Sequence, residues 1–173
     1  MITIISATNR PNSNTLKVAQ KYSQLMEKQG VKSELLSLES LPHDFIFTDM
    51  YGKRSDNFQQ LLDKCIIPAQ KFAIVVPEYN GSYAGILKSF LDAIPPEINK
   101  GKKVVLIGVS SGRAGNIRGL DHLTSVLHHL GMHVHPNKLP ISSVLSMIDS
   151  DGNLVDEKTL LVLENQTIEF LKW

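Results

Sequence analysis

A chain of 173 residues, 42% hydrophobic and 20% charged, has the size and mix of one globular domain with a substantial core, which excludes a disordered segment. A formal charge of +1 with scattered lysines offers no basic face for nucleic acid, and no apolar run approaches the ~20 residues that cross a membrane. The lone cysteine, Cys65, leaves no intrachain disulfide and no cysteine-based metal site, and the N-terminus enters a strand without the basic start of a secretory signal, so the expected location is the cytoplasm.

In chain order the first apolar run, Ile2 to Ser6, reads as a strand, and the polar stretch Ala7 to Thr15 follows it directly. Leu16, Ala19, Ser23 and Met26 then recur at helical spacing up to a stop at Gly30, and a second strand is expected from about Ser33 to Leu38. The connection from Glu39 to Asn57 is long for a compact domain. It also holds Phe45, Ile46, Phe47, Met50 and Tyr51, so it either packs on its own body or meets a partner or ligand. Phe72 to Pro77 and Lys103 to Val109 are almost unbroken in apolar residues, as central strands covered on both faces must be. Between them Ile86, Leu87, Phe90, Leu91 and Ile94 mark a helix that Pro95-Pro96 ends, with Ser82 the expected cap. Leu120, Leu123, Leu127 and Leu130 predict a third helix stopping at Gly131; a fifth strand is expected near Met132 to His135, and a last helix from about Asp156. This alternation predicts a doubly wound parallel sheet of five strands with helices on both faces, spanning residues 1–173 as one domain.

Three strand ends carry chemistry, at the sheet edge where such folds bind ligands. After the first strand, Thr8, Arg10, Ser13, Asn14 and Thr15 bring hydroxyl, amide and guanidinium donors to the start of a helix, the donor set for a phosphate dianion. Ser13 alone would equally serve as a helix cap. No Gly-x-Gly-x-x-Gly stands there, and Gly101-Lys102-Lys103 is no Walker sequence, which removes the commonest nucleotide-binding readings. After the third strand, Pro77-Glu78-Tyr79-Asn80-Gly81 combines a stacking ring, an amide and a permissive glycine, suited to the edge of a flat heteroaromatic. After the fourth, Ser110-Ser111-Gly112-Arg113 lets backbone approach the same ligand.

With these loops the chain resembles the NAD(P)H-dependent FMN reductases, flavodoxin-like proteins that include azoreductases, quinone reductases and chromate reductases. The resemblance rests on Thr8-x-Arg10-x-x-Ser13-x-Thr15 and on Pro77-Glu78-Tyr79-Asn80-Gly81-Ser82, followed by Ala84 to Asp92. It implies strand order 2-1-3-4-5. It also implies FMN phosphate held by Thr8, Arg10, Ser13, Asn14 and Thr15, with the ring held by Pro77, Glu78, Tyr79, Asn80 and Gly81 and bordered by Ser110, Gly112 and Arg113. NADPH or NADH would be the donor and a quinone, azo compound or flavin the acceptor, in a homodimer or homotetramer, with no residue acting as a general acid or base. Thr8 and Thr15 stand where Ser and Asn are commoner, and Arg113 where many relatives carry glycine. The competing reading is a flavodoxin-like electron carrier without a nicotinamide site, which would ordinarily be strongly acidic, unlike this chain. A low-molecular-weight phosphatase needs Cys-x-x-x-x-x-Arg in the first loop, and a receiver domain needs acidic residues where Ser6 and Ala7 stand. His128, His129, His133 and His135 lack a carboxylate or cysteine to complete a metal set, and Cys65 reads as a core residue.

Overall fold

A computed structural model describes residues 1–173. β1 (Ile2–Ser6), β2 (Ser33–Ser37), β3 (Lys71–Pro77) and β4 (Lys103–Val109) form a parallel sheet in the order β2-β1-β3-β4, continued by β5 (His133–Val134). The expected order and the alternating helices are present: α1 (Asn14–Lys28), α2 (Phe45–Thr48), α3 (Asp56–Leu61), α4 (Gly85–Asp92), α5 (Pro96–Asn99), α6 (Ile117–His129) and α7 (Glu157–Lys172).

Each central strand sends alternate side chains to opposite faces, and both faces are covered. Phe72, Ile74 and Val76 of β3 join Val104 and Leu106 of β4 in a core with α3, α4 and α6. Ala73 and Val75 join Val105, Ile107 and Val109 in a second core with α1 and α7. The buried stripe of α1 is Val18, Ala19, Tyr22, Leu25 and Met26; Ala19 and Met26 belong to the expected face, whereas Leu16 and Ser23 are only partly buried.

Three elements differ from the sequence expectations. The expected fifth strand, near Met132 to His135, shortens to β5, which pairs with the start of β4, and a sixth strand outside that expectation, β6 (Leu139–Ile141), pairs with the end of β4, from Ile107↔Leu139 to Val109↔Ile141. Between them Pro136 has no N–H to give, and the buried Gln166 of α7 reaches in, its Nε2 donating to Asn137 O at 2.8 Å and Leu106 O at 3.4 Å. Second, Ser82 does not cap α4, which starts at Gly85, because Tyr79 and Ser82 exchange both backbone hydrogen bonds in a tight turn. Third, α3 runs on as a π-helical stretch, Leu62–Ile66, which lies outside the helices expected from the sequence. Cys65 is buried there, and burial pushes its thiol pKa up.

The long connection folds onto the body. Phe45 stacks on Phe58 with ring centroids 5.8 Å apart, and Arg54 Nη2 donates to Ala93 O at 2.8 Å. Asp49 accepts hydrogen bonds from the Ser55 N–H and the Thr48 hydroxyl. Burial works to raise the Asp49 pKa, yet these bonds and the Arg54 charge hold it below the ordinary aspartate value. Phe47 and Tyr51 stay out of the core, 91% and 81% exposed.

Candidate functional site

A crevice of about 530 Å³ opens where β1, β3 and β4 end, within the usual ~300–1,000 Å³ range of small-molecule sites. Its first wall is the β1–α1 loop, with Arg10, Ser13, Asn14 and Thr15 among the lining residues. Asn12 takes a positive φ of 52° and turns the chain into α1; Ser13 caps the helix, its Oγ accepting the Leu16 N–H at 3.1 Å. The N–H groups of Asn14 and Thr15 begin the helix and have no partner within it, and no acidic residue lies in the first turn. The wall therefore offers hydroxyls, amide donors, free backbone N–H groups and the positive end of a helix dipole.

Pro77, Glu78 and Tyr79 form the second wall. The turn behind them places Asn80 at φ 51° and Gly81 at φ 78°, the paired positive values of a primed hairpin turn, for which Asn-Gly is the preferred sequence. The Glu78 N–H donates to Val109 O at 2.9 Å, tying this wall to the end of β4. Asn116 enters α6 at φ 66°, and its buried side chain donates from Nδ2 to Val76 O at 3.0 Å and Pro77 O at 2.8 Å.

Ser110 and Ser111 supply the third wall. Ser110 Oγ donates to Gly112 O at 2.9 Å and accepts the Gly115 N–H at 3.2 Å, so the hydroxyl holds the shape of its own loop.

The structure thus gathers eight expected residues around one space: Arg10, Ser13, Asn14, Thr15, Pro77, Glu78, Tyr79 and Ser110. Thr8 is buried behind the wall, where its Oγ1 lies 2.8 Å from Tyr79 Oη and accepts the Arg10 N–H at 3.2 Å. Asn80 and Gly81 sit at the turn, and Gly112 and Arg113 are exposed on the third loop, outside the lining. Pro11, Asn12, Val109, Ser111, Val144 and Leu145 also line the crevice. Val144 and Leu145 come from the segment after β6, stapled to the third loop where the Ser143 N–H donates to Gly112 O and the Val144 N–H to Ser110 O. No local motif announces them, because that contact depends on the pairing of β6 with the end of β4.

The four histidines do not converge: His135 is buried against Trp173, ring centroids 4.9 Å apart, while His128, His129 and His133 are exposed.

The donor set fits FMN. One end of the crevice carries the neutral and cationic donors a phosphate needs, without a carboxylate, and the other presents backbone and a tyrosine to a flat ring.

Residues 1–145 match the family of NADPH-dependent FMN reductases. A 2-hydroxy-1,4-benzoquinone reductase of a Burkholderia species is 34% identical, over 91% of this chain and 96% of that protein. An NAD(P)H-dependent FMN reductase of Pseudomonas aeruginosa is 30% identical, over 83% of this chain and 79% of its own length. Among solved structures, the flavoenzyme NAD(P)H:(acceptor) oxidoreductase FerB of Paracoccus denitrificans superposes with a TM-score of 0.82 at 26% identity, covering 99% of this chain and 95% of that one. A flavodoxin from the Archaea, TM-score 0.67 at 16% identity over 99% of this chain and 97% of its own, shares the fold.

Proposed function

Since this chain belongs to the NADPH-dependent FMN reductase family and is an FMN-dependent oxidoreductase fed by NAD(P)H, we propose that the three-walled crevice holds the flavin and serves a small quinone- or azo-type acceptor. The observation that carries this reading is the joining, in one cavity, of an uncrowded helix N-terminus with the backbone ends of β3 and β4. Relatives named a benzoquinone reductase and an FMN-dependent NADPH-azoreductase support the acceptor class.

Arg10, Ser13, Asn14 and Thr15 hold the phosphate, with the first N–H groups of α1 directed at the same charge. Pro77 to Gly81 and Ser110 to Arg113 frame the ring, chiefly through backbone, and Thr8 enters through its bond to Tyr79. Held there, FMN would supply the redox chemistry that links a nicotinamide donor to the acceptor. The chain orients both partners and limits water, and no side chain has to act as general acid or base. Residues 1–173 act as one FMN-binding unit in the cytoplasm, assembled as a homodimer or homotetramer. The formal charge of +1 weighs against a flavodoxin-like carrier that docks through a strongly acidic surface.

The visible absorption spectrum of the purified protein, followed by anaerobic addition of NADPH and then NADH, tests the reading. Flavin bands that bleach rapidly with one donor are expected. Bands that persist with both would favour the carrier, and a protein unable to take up added FMN would end the proposal.

A further inference from the structure

Helix α6 and its cap residue Asn116 grip the end of β3 and the loop after it at three points. Besides the two bonds from Asn116, Arg118 Nη2 donates to Glu78 Oε1 at 3.1 Å, and Ser82 Oγ lies 2.9 Å from His122 Nδ1. Only the Arg118 contact carries charge. Glu78 is the sole carboxylate among the residues lining the crevice, its side chain is 17% exposed, and Arg118 is its ion-pair partner. Arg118 itself stays outside the lining and lies across the turn, where a Cβ added at Gly81 would be 3.6 Å from its Nε.

A half-enclosed carboxylate beside an anionic ligand raises the ligand's free energy, the more so as water is excluded. The cost grows when the ligand gains negative charge. We propose that Arg118 is a positioning residue for the flavin site: by pairing with Glu78 it fixes that carboxylate on the α6 side of the crevice and cancels its charge toward the cofactor. The assignment rests on the flavin reading of the crevice and adds to it a residue that does not touch the cavity. Its role is electrostatic and passes through Glu78, so removing the carboxylate must remove the need for the guanidinium.

The test is a cycle of Arg118→Ala, Arg118→Lys, Glu78→Gln and the double variant Arg118→Ala/Glu78→Gln, each titrated as apoprotein with FMN and then measured for midpoint potential under anaerobic equilibration. Arg118 is 64% exposed, so its removal leaves the core intact, and equal apoprotein melting temperatures check this. Arg118→Ala is expected to weaken FMN binding about two- to fivefold, the scale of a partly exposed pair, and to move the potential negative. Arg118→Lys recovers most of both, and the double variant matches Glu78→Gln alone. Unchanged affinity and potential in Arg118→Ala, or a loss that persists undiminished in the Glu78→Gln background, overturns the assignment while the flavin reading stands. A wild-type chain that takes up no FMN overturns both.

Discussion

Thr8 shows how one hydroxyl can join two loops. Its Oγ1 meets Tyr79 Oη at 2.8 Å and accepts the Arg10 N–H, so the loop after β1 is braced against the loop after β3. Thr8→Val leaves both partners without it and should cost the apoprotein about 1 kcal/mol. In a double-mutant cycle with Tyr79→Phe, followed by urea unfolding, the two losses should overlap; fully additive losses would mean that the hydroxyls do not support each other. From the sequence Thr8 reads only as a loop donor, since nothing local shows that a tyrosine 71 residues later turns back to it. Ser13, by contrast, is legible in both its roles, because a helix cap and a phosphate donor require the same side chain at the same place.

At the scale of elements, the approach of α6 to β4 sets the third wall, and it depends on a residue without a side chain. A Cβ at Gly108 would lie 2.2 Å from Gly115 O and 3.1 Å from Leu120 Cδ1. Gly108→Ala must therefore push the entry of α6 off the sheet, with an expected loss of about 3 kcal/mol or more in urea unfolding. Gly85→Ala, at the open start of α4 with nothing within 4 Å, should be neutral or stabilise by up to ~1 kcal/mol. Similar losses at the two sites would refute the close approach. The strands were legible because β3 and β4 are apolar on both faces and each begins at a lysine, with Pro77 closing β3. The sixth strand was hidden: Leu139–Ile141 is three residues long with a proline in its middle, and the gap before it at Pro136-Asn137 is filled by Gln166 from the far end of the chain. Val144 and Leu145 escaped notice for the same reason, since their place in the crevice follows from β6.

For the molecule as a whole, the layers follow from the alternation of apolar runs, while the long connection after β2 packs in part on its own body and leaves part of its apolar surface outside. Phe45 is buried against Phe58, yet Phe47 and Tyr51 face outward on the same stretch. An aromatic left that exposed is a natural contact between subunits. If the proposed homo-oligomer meets through this stretch, Phe47→Asp lowers the mass in sedimentation equilibrium toward that of one chain without loss of helical signal; an unchanged mass would place the contact elsewhere. The sheet order has a consequence for biosynthesis as well. β1 lies between β2 and β3, and each ladder joins strands separated by a crossover, so Ile2 waits for Lys71 before its second edge is covered. Closing such distant pairs is slow, and during translation the isoleucine-rich first strand leaves the ribosome with one edge unprotected until more than a third of the chain has followed. The nascent protein therefore passes through a stage in which an interior strand of the finished sheet is also the element most open to aggregation.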